Sequence, residues 1–105
     1  MIDLAIVKAH LRVTHDAEDD LIQGYTEAAL NTFELFTNRK LIEEGSALPN
    51  PVGKALLITK SIRQGALLLI GHWYASREAV VVGTITAELP MATNALWAPH
   101  RWANV

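Results

Sequence analysis

The sequence predicts an all-α domain: a small bundle of about four helices, two long and two short, with an extended, β-like arm between the third and fourth. Three observations point there. Apolar residues recur at three- and four-residue steps through two long stretches, near residues 16–38 and 51–73. Half of the 105 residues are apolar and only 19% are charged, and Cys is absent. One segment, residues 80–87 (VVVGTITA), abandons the helical period and is β-branched at six of eight positions. A chain of this length buries about 65% of its surface on folding, enough for one core, so residues 1–105 are expected to form one domain.

The first helix is expected from Asp3 or Leu4 to Leu11, with Asp3 as cap and Leu4, Val7 and Leu11 on one stripe. Val13 and Thr14 interrupt it. Asp16 is the expected cap of the second helix, and Glu18, Asp19 and Asp20 place carboxylates at the positive end of its dipole. Ile22, Tyr25, Ala29, Phe33 and Phe36 then draw an apolar stripe, leaving Gln23, Glu27, Asn31 and Glu34 largely outside it. Asn38, Arg39 and Lys40 close this helix with cations at its negative pole.

Residues 43–51 (EEGSALPNP) read as a loop. Pro51 and Val52 are expected to open the third helix, because proline is tolerated in a first turn. Ile58, Ile62, Ala66, Leu69 and Trp73 make its main stripe, and Leu67, Leu68 and Ile70 widen it, so this helix belongs at the centre. Gly65 and Gly71 are read as points where another backbone comes close. The 80–87 segment should be an arm or a strand pair turning at Gly83, and it finds no partner in a four-helix domain. Pairing with a neighbouring copy would satisfy it. A last short helix runs from Pro90 to about Trp97, and Pro99 stops it.

The net charge of −2 conceals an asymmetry. The first fifty residues hold nine acids and four bases, the remainder two acids and five bases. Such a split reflects solvated helix faces, or lets one copy's acidic face meet the next copy's basic face. The composition excludes intrinsic disorder, a disulfide-stapled secreted scaffold and a thiolate metal site. The N-terminus lacks the pattern of a targeting signal, and residues 65–71 (GALLLIG) fall far short of the roughly 20 residues a spanning helix needs. The expectation is a soluble, intracellular protein without a membrane partner.

Catalysis finds little support. Ser46, Ser61 and Ser76 sit in no nucleophile-elbow context, and His10, His15, His72 and His100 lack metal-ligand spacing. No glycine-rich phosphate loop is present, so no cofactor is expected. Asp16, Glu18, Asp20 and Glu27 fall at positions 1, 3, 5 and 12 of a calcium loop, but the sixth position is Leu21, where that turn needs glycine. Helix capping accounts for the same acids. A helix-turn-helix reading fails because its recognition helix would turn four carboxylates toward phosphates. Lys54, Lys60 and Arg63 make a thin basic stripe or a solvated edge. Trp97, His100, Arg101 and Trp102 concentrate aromatic and cationic groups at the chain end, as interface anchors or as the closure of the core.

Three stretches, VKAHLRVTHDAEDDLIQGYTEAA, LLLIGHWYASREAVVVG and ELPMATNALWAPHRW, in this order and spacing, resemble the small head-tail connector proteins of tailed phages, often labelled DNA-packaging proteins. The most specific parts run from His72 to Val80, including Arg77 and Glu78, and from Glu88 to Arg101. The resemblance implies an all-helical, non-enzymatic adaptor encoded by a phage or prophage and made in the host bacterial cytoplasm. In the virion, copies would form a ring beneath the portal protein, extend the channel for double-stranded DNA without reading its sequence, and seat the tail or the next head-completion protein.

On that reading the expected contacts are an acidic face of Asp16, Glu18, Asp19, Asp20 and Glu27 against the basic side of the third helix, Lys60 and Arg63. Arg77, Glu78 and the clasp of Val80, Val81, Val82 and Ile85 would add to it, with Trp97, Arg101 and Trp102 as anchors. The alternative is a small helical nucleic-acid-binding or regulatory module using Lys54, Lys60 and Arg63. A hydrolase built on His15 and Asp16 ranks far behind.

Overall fold

The computed structural model describes residues 1–43, 45–50, 53–76 and 89–102. Among them, α1 spans Leu4–Leu11, α2 Asp19–Thr37, α3 Lys60–Ala75 and α4 Met91–Trp97, which runs into a 3-10 turn at Ala98–His100. The predominantly helical class expected from the periodicity is observed, with a minimal addition. Strands β1 (Lys40–Ile42) and β2 (Ala55–Leu57) pair in parallel, Lys40 opposite Ala55 and Ile42 opposite Leu57. The 80–87 segment, with Val80, Val81, Val82, Ile85 and its expected turn, lies outside the described residues, as do Arg77 and Glu78.

The helix starts differ from expectation in two places. Asp16 does not cap α2: the helix begins at Asp19 behind Glu18, and Asp16 is drawn away by Lys8. Pro51 and Val52 do not open α3, because residues 55–57 are extended in β2 and the helix begins only at Lys60. Thr59 is the true cap, its side chain accepting from the Ile62 amide at 3.4 Å. The three-residue pairing with β1 consumes the apolar run that helical periodicity had assigned to α3. At α1 the capping position is Asp3 as expected, but its backbone carbonyl receives the Ile6 and Val7 amides and its side chain makes no cap bond. Arg12 and Asn38 end α1 and α2 in the left-handed region, at φ 59° and 57°.

Helix α3 is central and packs against α1, α2 and α4. The stripe of Ile22, Tyr25, Ala29 and Phe33 on α2 is buried, and it meets Ile62, Ala66, Leu69 and Trp73 of α3 in one core cluster. Two buried threonines on α2 remain satisfied by their own helix: Thr26 Oγ1 donates to the Ile22 carbonyl at 2.9 Å and Thr37 Oγ1 to that of Phe33 at 2.7 Å. The close approach expected at Gly65 is real, but it is made by a side chain. A Cβ there would lie 2.7 Å from Trp97 Cδ1 and nearer still to Nε1. At Gly71 the nearest neighbour among the described residues is likewise a side chain, the His10 imidazole, 3.4 Å from where a Cβ would stand.

Candidate interaction surfaces

The acids at the start of α2 hold the fold together before they can serve any partner. Lys8 on α1 reaches Asp16 at 2.7 Å and Asp19 at 2.8 Å, so one ammonium staples the entry of α2 to α1. Hydrogen bonds to Asp16 and then Asp19 raise the Lys8 pKa above its ordinary value, and Lys8 in turn holds Asp16 below the usual carboxylate range. Glu18 accepts from Tyr74 Oη at 2.7 Å, which ties the same corner to α3. Of the expected acidic face, Asp20 and Glu27 remain exposed without a described partner.

The chain end is built onto the C-terminal end of α2. Trp97 is fully buried, its Nε1 donates to the Ile62 carbonyl at 3.1 Å, and its indole meets Phe33 edge-on at 5.3 Å. Of the two roles open to it from the sequence, closing the core is the one it has. As an interface anchor it is corrected: no surface remains to offer. Thr93, one helical turn earlier, donates to the Gly65 carbonyl at 2.9 Å and locks α4 onto α3.

Beyond Trp97 the chain stays docked. The Trp102 amide donates to the Thr37 carbonyl at 2.7 Å, one of the helix-end acceptors that α2 cannot satisfy itself. Arg39 Nε donates to the His100 carbonyl at 3.0 Å while its guanidinium lies 4.9 Å from the centre of the Trp102 ring. Arg101 stands over Phe36 at 5.3 Å. Trp102 keeps 36% of its surface exposed, so this aromatic group, unlike Trp97, is available.

Folding thus re-sorts charge that the sequence had divided by halves. Arg39 and Lys40 from the acidic half join Lys54 and Arg101 from the basic half around one end of α2. Lys54 Nζ donates to Asn38 Oδ1 at 3.1 Å, and the Lys40 amide donates to the Lys54 carbonyl. No carboxylate among the described residues lies within ion-pair distance of these four side chains. Lys60 flanks them, exposed, next to Ser61, whose hydroxyl lies 3.4 Å from His100 Nε2. The acids Asp16, Glu18, Asp19 and Asp20 cluster at the other end of α2, ~28 Å away at 1.5 Å per residue. Arg63 does not extend the basic stripe outward, since its Nε donates to the Met1 carbonyl at 3.3 Å.

Alongside the exposed face of α2 runs an open groove of about 230 Å³, lined by Met1, Leu30 and Leu41 below and by Glu27, Asn31 and Glu34 at its edge. Glu34 is fixed there by accepting the Leu41 amide at 2.8 Å, and the N-terminal ammonium is 3.5 Å from Glu43. The sequence did not mark this groove, because Leu41 reaches α2 only through the β1 pairing that the periodicity missed. Among the described residues, no group of three His, Asp or Glu side chains converges as a metal site, and no helix is long and apolar enough to cross a membrane.

The family model described as phage gp6-like head-tail connector protein matches residues 1–101. The chain belongs to the phage gp6-like head-tail connector family. No curated protein and no solved structure matches the chain at a significant level. Membership of the connector family makes it a structural component of the phage particle, and the match takes in all four described helices and both strands. This connector is therefore to be understood through its surfaces: two charged ends, a docked aromatic tail and a groove along α2.

Proposed function

We propose that this connector is a non-enzymatic adaptor whose copies associate side by side into a ring beneath the portal protein. The ring extends the channel for double-stranded DNA and presents a platform to the tail or the next head-completion protein. Its site of action is the head-tail junction of the virion, after synthesis in the cytoplasm of the bacterial host. The observation that carries this reading is the match to the connector family over residues 1–101.

Its surface supports the same role. A ring needs two different, complementary patches on every subunit, and this chain carries opposite charge at the two ends of one helix. The net charge of −2 suits a conduit, since a strongly basic lining would hold phosphates that must slide past. The basic side of α3 contributes less than the sequence implied, because Arg63 is engaged by Met1 and only Lys60 stands clear. Residues 80–87 complete the proposed contacts as a clasp, with Arg77 and Glu78 beside it.

Native mass spectrometry of the full chain, alone and with its portal complex, tests the role. A discrete closed stoichiometry or a defined number of copies per portal supports it. Salt-dependent binding to duplex DNA by an unassembled chain that never joins a portal would instead favour the nucleic-acid-binding module.

A further inference from the structure

We infer that the groove along α2 is the seat for the basic, aromatic end of an adjacent copy, with Trp102 entering it and Arg101 and Lys40 facing its acidic edge. The inference rests on the ring reading and names the contact that would build it.

The groove has an apolar floor in Met1, Leu30 and Leu41, of which Met1 is 42% exposed, and a volume that holds one large side chain. Its edge is anionic. Glu27 and Glu34 lie seven residues apart on α2, and Asp20 continues the same line toward the helix start, so three carboxylates mark one straight track. An occupant must combine an apolar body with positive charge. A neutral apolar segment would strip water from these carboxylates without repaying them, and an anion would be repelled.

The described surface of the chain carries one such combination. Trp102 is part-exposed with Arg39 stacked on it, Arg101 stands over Phe36 and Lys54 bonds Asn38 beside Lys40, and among the described residues none of these cations has a counter-acid. The guanidinium of Arg39 is held by the His100 carbonyl and the Trp102 backbone by Thr37, so this end is largely ordered before it binds. Tryptophan and arginine together are the residues on which interface energy concentrates. Groove and basic end share no residue, although Lys40 adjoins Leu41, so the contact is heterologous and can repeat from copy to copy.

Gly24 lies beside the acidic track, exposed, with nothing within 4 Å of where a Cβ would stand. It leaves α2 thin where the neighbour would approach. Among the described residues nothing requires glycine there.

Charge exchange tests the contact in the full chain. Asp20→Lys with Glu27→Lys reverses the track, and Lys40→Glu with Arg101→Glu reverses the basic end. All four side chains are exposed, and circular dichroism checks that each variant folds. Each double variant is expected to lose at least about tenfold in association between copies, read by native mass spectrometry at low salt, alone and on the portal complex. The quadruple variant, in which both surfaces are reversed, is expected to recover to within a few-fold of the parent. Trp102→Ala is expected to weaken association in either charge background.

Double variants that assemble like the parent, or a quadruple variant as defective as the doubles, overturn the contact while leaving the ring intact as a reading. Loss of portal binding by Lys40→Glu with Arg101→Glu, with association between copies unchanged, assigns the basic end to the portal and also overturns it. A parent chain that associates neither alone nor on the portal removes the ring itself.

Discussion

Gly65 leaves the space that the Trp97 indole fills, and this decides what substitutions there will do. A methyl group on Gly65 has no room beside the indole, so Gly65→Ala is expected to destabilise the fold by about 1–3 kcal/mol despite the gain in helix propensity. Gly24→Ala, in open space on the same kind of element, is expected to stabilise by roughly 0.5–1 kcal/mol. Urea denaturation of the two variants reads both signs, and equal effects would contradict the packing described. The Lys8 staple carries the pH dependence. Asp16 has its pKa lowered in the fold, so its contribution is present above about pH 4 and lost as the pH falls through the folded value. Lys8 has its pKa raised, so its contribution is complete below about pH 10.4 and lost as the pH rises through the folded value. Lys8→Met is expected to flatten the acid limb of the stability profile. An unchanged limb would show that other carboxylates set it. Residue identity announced Trp97 as important, but its exclusive place in the core was not legible, because a terminal tryptophan serves a core and an interface equally well until α4 is seen lying on α3.

At the scale of elements, periodicity was sufficient where a helix packs on one side and failed where a strand intervened. The stripe on α2 is buried as its three- and four-residue steps required, from Ile22 to Phe33. The start of α3 was misread because Ala55, Leu56 and Leu57 continue an apolar run that three parallel strand residues use instead. A parallel pairing is non-local and leaves no local signature in three residues. The threonine at the true boundary is informative in retrospect: Thr59→Ala is expected to cost about 1 kcal/mol by losing the α3 cap, whereas Asp3→Ala, which removes no side-chain cap bond, is expected to change stability by less than about 0.5 kcal/mol. Thermal unfolding of the pair separates the two, and a larger loss for Asp3→Ala would contradict the capping seen here.

Across the whole molecule, the charge asymmetry visible in the sequence survives in altered form. Counting by halves suggested opposed surfaces, yet it placed Arg39 and Lys40 with the acids, and the fold gathers them with Lys54 and Arg101 at the far end of α2. The groove was invisible for the same reason that β1 was: Leu41 reaches Leu30 only in three dimensions. Motif content, by contrast, pointed directly to the connector family, which the match over residues 1–101 shows. Exposed charge of opposite sign stands at the two ends of α2, Asp20 at one and Lys40 and Arg101 at the other, and a subunit polarised in this way is suited to meet identical neighbours. Imaging by negative stain, of the full chain alone and mixed with its portal complex, tests that claim most directly. Annular particles, or a collar of density on the portal, are the predicted result, and isolated small particles with a bare portal under both conditions would contradict it.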